Sequence, residues 1–300
     1  MLRLGTLVSA KHLAECLKTQ ANKLRVVDAT WFLPNYGRTG IQNYMECHIP
    51  GAVFFDIEAC TRPSPYEHML PSEEVFSEYV GNLGIDNETH VVVYNDHPDF
   101  ALFSAPRVWW TFRAFGHSTV SVLDGGLRMW RDANLDLAKG HETVPVPKLN
   151  FNAKFNESFV KSFEDVMKNI NEKQFQVVDA RPAGRFDGTS PEPRADCKPG
   201  HIPGTTSIPF PSVMTSYTGP DGQEVKHGAV KDRRTLEKMF DGAGVDLSRS
   251  LTASCGSGVS ACVLAFAAHL CGKEDVSVYD GAWVEWYKRS RPDQRENCPD

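Results

Sequence analysis

The sequence predicts an α/β fold laid down twice in tandem. Repetition is the first sign. Val26-Val27-Asp28-Ala29 returns as Val177-Val178-Asp179-Ala180, and His48-Ile49-Pro50-Gly51-Ala52 returns as His201-Ile202-Pro203-Gly204-Thr205. Leu123-Asp124-Gly125-Gly126-Leu127, with Trp130 after it, returns as Tyr279-Asp280-Gly281-Ala282-Trp283, with Trp286. The spacings (26 to 177, 48 to 201, 123 to 279) are 151, 153 and 156 residues. Three ordered matches at nearly constant spacing mark a duplicated domain. Short apolar runs are the second sign. Val26–Ala29, Val91–Tyr94, Ser121–Leu123, Val177–Ala180 and Ser277–Tyr279 suit parallel strands buried on both faces, and Leu251–Ser254 can end a central strand. Between them, Ser72 and Ser162 stand as N-caps with acidic residues in the following turn, which predicts helices over Ser72–Leu83 and Ser162–Asn171. Alternating strands and helices give each half a mainly parallel sheet flanked by helices, with ligands expected at the strands' carboxyl ends.

The halves are expected at residues 1–138 and 157–300. Residues 139–156, KGHETVPVPKLNFNAKFN, carry two prolines and no helical period, and read as a linker. A net charge of -6, from 32 basic and 38 acidic residues, argues against nucleic acid or an anionic membrane as the main partner. No run of about 18 apolar residues predicts a membrane span. Lys11 and Glu15 fall where a signal peptide needs its apolar stretch, and the first strand is expected near Leu24. No long presequence is therefore expected; the cytoplasm is the default compartment and the mitochondrion the alternative. A monomer or weak dimer is expected.

Eight cysteines are scattered without a Cys-x-x-Cys pair or zinc-finger spacing, so no metal or organic cofactor is expected. Most read as reduced, partly buried thiols. Cys255 differs. It ends a predicted strand and opens Cys255-Gly256-Ser257-Gly258-Val259-Ser260-Ala261-Cys262, ahead of an apolar helix from about Val259 to Leu270. Two glycines let the backbone curl so that successive N–H groups face inward, and the helix N-terminus adds positive potential. Such a setting favours a thiolate. A phosphatase loop would need an arginine six residues after the cysteine; Ala261 stands there, and that reading is rejected.

The loop CGSGVSAC resembles the active-site loop of the 3-mercaptopyruvate sulfurtransferase family, within the rhodanese-like superfamily. The two HIPG strings, Ser104–Trp110 (SAPRVWW) and YDGAWVEWY are similar to the same family, so the resemblance covers nearly the whole chain. It implies two rhodanese-like domains, with sulfur carried on Cys255 as a persulfide. The donor would be 3-mercaptopyruvate, and the acceptor thioredoxin, a small thiol or cyanide. Arg185 and Arg194 would hold the donor, beside Gly256, Gly258 and Val259. The family's relay of serine, histidine and acid falls on Ser257, His68 and Glu58. The family acid is usually aspartate, and here the stretch from acid to histidine is one residue shorter; Asp56 is the alternative. The sister thiosulfate sulfurtransferases carry basic residues directly after the cysteine, whereas this loop has no cation. A donor carboxylate would then need a clamp elsewhere, and arginine suits bidentate carboxylate recognition. The matching loop of the first half, Val93-Tyr94-Asn95-Asp96-His97-Pro98, has no cysteine and should be silent. Thiosulfate:cyanide transfer and a non-catalytic binding module remain the rival readings.

Overall fold

The computed structural model describes residues 4–141 and 146–299. The first half runs β1 (Leu7–Val8), α1 (Ala10–Gln20), β2 (Leu24–Asp28), α2 (Gly40–Glu46), β3 (Val53–Phe54), α3 (Glu73–Asn82), β4 (His90–Tyr94), α4 (Ala105–Ala114), β5 (Val120–Leu123) and α5 (Gly126–Asp132). The second runs β6 (Val160–Lys161), α6 (Phe163–Glu172), β7 (Gln176–Asp179), α7 (Ala183–Phe186), β8 (Thr206–Ser207), β9 (Met214–Thr218), β10 (Glu224–Val230), α8 (Arg233–Gly242), β11 (Leu251–Ser254), α9 (Ala261–Leu270), β12 (Ser277–Tyr279) and α10 (Ala282–Arg289). Two five-stranded sheets result, ordered β1-β5-β4-β2-β3 and β6-β12-β11-β7-β8. Every pairing in them is parallel, and the two orders are the same topology written twice. The central strands β4 and β11 are buried at every residue; β4 is accordingly almost all apolar, whereas β11 also buries Thr252 and Ser254.

The predicted caps are present. Ser72 accepts from the Val75 N–H, and Ser162 forms a capping box with Asp165. The repeated HIPG strings are structural. His48 stacks on Tyr44 at 4.0 Å and its Nδ1 pairs with the Tyr44 carbonyl at 2.8 Å. His201 does the same on Phe186, at 3.7 and 2.9 Å.

Two compact units are formed, and two segments depart from the chain halves. Pro63–Met69 belongs to the second unit, and the antiparallel β9–β10 hairpin, Met214–Val230, to the first. Of the expected linker, residues 142–145 lie outside the described residues. Leu149 and Lys154 donate N–H groups to the carbonyls of Gly81 and Phe115 in the first unit. Among the described residues no helix is long and apolar enough to cross a membrane.

Asp28, at the end of β2, is fully buried. Burial pushes its carboxyl up to about 6, against the lowering effect of hydrogen bonds from Thr30. A raised carboxyl pKa means stability that is full below the unfolded value near 3.8 and is lost as pH rises through about 6. Asp28→Asn should therefore raise Tm at pH 7.5, by the equivalent of about 2–3 kcal/mol, and much less at pH 4. Equal changes at both pH values in a calorimetric series would show that Asp28 is not the titrating group.

Candidate active site

Strand β11 delivers Cys255 at its carboxyl end, in register with β7: Ser254 faces Asp179. The carbonyls of Cys255 and Gly256 accept from the N–H groups of Trp283 and Val284, in the first turn of α10, at 2.9 and 3.1 Å. Across a planar trans peptide the next N–H points the opposite way. The N–H groups of Gly256 and Ser257 are thus turned away from α10, while α9 begins at Ala261 with its positive end at the loop. Gly258 has φ +80°, a conformation that a side chain would strain. Cys255, Ser257 and Val259 are all buried. Cys262, fully buried, donates its thiol to the Gly258 carbonyl at 3.3 Å, a structural role.

The first half shows what fills the same place where no cysteine stands. Asn95 follows β4 as Cys255 follows β11, and its carbonyl likewise accepts from the start of α5, from Leu127 N–H at 3.1 Å. Its side-chain oxygen accepts from Phe103 N–H at 3.0 Å and from Ala105 N–H, at the start of α4, at 3.2 Å. The amide thus saturates donors that an anion could otherwise use.

Two arginines converge on the loop from outside it. A β-carbon placed on Gly256 would stand 2.8 Å from Nη2 of Arg185 and 3.8 Å from Nη1 of Arg194. Each arginine is held by a glutamate: Arg185 by Glu192, and Arg194 by Glu67, at 3.0 Å from Nε and more closely from Nη2. Burial works against the Arg194 charge, but its pKa is raised, chiefly by Glu67 and to a lesser degree by Cys255 and Glu192. Burial alone would raise the Glu67 carboxyl; Arg194, and next His68, leave it below the usual range.

Behind Arg185 lies a buried network. Arg181 donates to both oxygens of Asp179, to Glu192 at 2.8 Å and to the Gly200 carbonyl at 2.7 Å, and its guanidinium lies 4.7 Å over the Trp283 ring. Arg181, Glu192 and Glu67 escaped the sequence reading. Arg181 sits two residues after a strand aspartate, and that spacing was the one signal available.

His68 is buried, has φ +59°, and its Nε2 lies 3.7 Å from the Glu67 carboxylate. Cys255, Ser257, His68, Arg185 and Arg194 all belong to the second unit. Glu58 belongs to the first. It accepts the Trp31 indole N–H at 2.8 Å and lines a cleft of about 500 Å³ with Asp56 and Arg38.

The rhodanese-like domain family matches the chain twice, over residues 11–133 and 162–289. The chain belongs to the rhodanese-like family. Among curated relatives, human (Homo sapiens) 3-mercaptopyruvate sulfurtransferase is 50% identical over 290 residues, covering 96% of this chain and 93% of that one. Rat (Rattus norvegicus) thiosulfate sulfurtransferase is 48% identical over 297 residues, covering 96% and 94%. A crystal structure of SseA from Escherichia coli, described among 3-mercaptopyruvate sulfurtransferases of the rhodanese fold, superposes with a TM-score of 0.79. It is 37% identical, over 93% of this chain and 99% of that one. Identities of 50% and 48% do not separate the two donors; within this family the loop and its arginines must.

Proposed function

We propose that this rhodanese-like enzyme is a 3-mercaptopyruvate sulfurtransferase working through a Cys255 persulfide. The observation that supports it most is the pairing of a cation-free loop with two arginines reaching Gly256 from outside. Arg185 and Arg194 take the carboxylate and keto oxygen, which sets the donor sulfur in line with Cys255. The Cys255 thiolate attacks that sulfur. An S–S bond forms and the C–S bond breaks, its electron pair passing into the enolate of pyruvate. Ser257, with His68 behind it, carries the proton of the donor thiol toward the enolate carbon. Glu58 is the acid the family pattern assigns to this relay; Glu67, beside His68, is a second candidate. The outer sulfur then passes to a thiol, thioredoxin or cyanide, restoring the thiolate. With reducing thiols the second step yields a disulfide and sulfide. The enzyme is proposed to act in the cytoplasm, with the mitochondrion as the alternative.

Thiosulfate is the rival donor, on the strength of the 48% identical relative. A Gly256→Arg exchange separates the two. The new side chain adds a cation to the loop and crowds Arg185, so kcat/KM should fall for 3-mercaptopyruvate and rise for thiosulfate. The ratio should move by about 10-fold, on the order of what one unit charge contributes at an effective protein dielectric of about 20. A ratio that stays put in a cyanide assay would mean that loop charge does not select the donor.

A further inference from the structure

We infer that Glu192 is a positioning residue for the donor clamp, fixing the Arg185 guanidinium beside Gly256 of the reactive loop. The inference rests on the donor reading above. The Glu192 side chain is fully buried and divides its two oxygens between two arginines, Oε1 to Arg181 and Oε2 to Arg185. Arg181 is the fixed end. It is anchored on Asp179 at the tip of β7, on the Gly200 carbonyl, and on the ring of Trp283, whose N–H holds the Cys255 carbonyl. Glu192 therefore ties Arg185 to the same frame that carries the nucleophile. Arg185 needs such a tie, because it sits on the four-residue α7 and its long side chain would otherwise sample many rotamers. Two anions, Asp179 and Glu192, face two cations, Arg181 and Arg185, so the cluster is balanced without a donor. One group in it is unmet. Among the described residues Nε of Arg185 is buried with no hydrogen-bond partner, and a donor oxygen would complete it.

A double-mutant cycle tests this. Glu192→Gln keeps the shape but loosens the hold on Arg185. KM for 3-mercaptopyruvate should rise about 10-fold with kcat changed less than about 3-fold. Cys255 should react with a small thiol reagent at the wild-type rate. In an Arg185→Ala background the same exchange should add less than about 2-fold, because the side chain it positions is gone. Glu192→Asp keeps the charge but is too short to span both guanidiniums, and should also raise KM; it carries the test if the Gln variant folds poorly. An equal effect in both backgrounds, or an unchanged KM in a folded variant, would overturn the role of Glu192. Wild-type protein that takes no sulfur from 3-mercaptopyruvate would instead strike the donor reading itself.

Discussion

Cys255→Ser should abolish sulfur transfer from either donor while changing stability by no more than about 1 kcal/mol. The residue is buried at the carboxyl end of β11, its carbonyl is held by α10, and neither contact needs sulfur. Serine fills nearly the same volume, yet an oxygen cannot carry a persulfide. Thiocyanate formation from donor and cyanide should fall to background. Mass spectrometry of wild-type protein after donor treatment should show about 32 Da added to the peptide containing Cys255, one sulfur atom. That mass on Cys262 would contradict the assignment. The structure argues against it, since Cys262 is fully buried with its thiol on the Gly258 carbonyl.

Arg185→Ala should lower kcat/KM for 3-mercaptopyruvate by about 10- to 150-fold, mostly through KM. That is what losing charge-assisted hydrogen bonds of about 1.5–3 kcal/mol entails. Arg194→Ala should do the same in smaller measure, because its guanidinium stands farther from Gly256 and is shared with the half-exposed Glu67. Lysine should rescue only partly, as a point charge in place of a planar fork. The double variant should lose less than the product of the two factors, since both side chains hold one donor. Steady-state kinetics checks this, together with the rate of Cys255 alkylation. An arginine whose removal slows alkylation but spares KM tunes the nucleophile and does not bind the donor.

Much of this was readable in the sequence, for a physical reason. Strands buried on both faces favour continuous apolar residues, so β2, β4, β5, β7 and β12 announced themselves to within two residues, while β11 was marked by the glycine-rich cysteine loop after it. The serine caps worked because their chemistry is local. The edge strands β1, β3, β6 and β8 are two residues long, too short to leave a pattern. The β9–β10 hairpin gave no clear pattern because β9 is mostly exposed and polar and β10 mostly half-buried, with a register shift between Val225 and Ala229. At the site, Cys255 and the two arginines that reach its loop stood out because the glycines and charge around them are unusual. Glu67 did not, because its ion pair forms only when distant segments meet: Glu67 and Arg194 are 127 residues apart. Glu192 lies only 11 and 7 residues from Arg181 and Arg185, but in an irregular segment whose burial no local pattern shows. The second halves of such pairs belong to the tertiary fold.

The donor is decided by kcat/KM of the wild-type protein for 3-mercaptopyruvate and for thiosulfate, measured side by side with cyanide as acceptor. A loop without a cation, served by two arginines that can clamp a carboxylate, predicts 3-mercaptopyruvate ahead by about 10-fold or more. Thiosulfate equal or ahead would mean that the two arginines do not make 3-mercaptopyruvate the preferred donor.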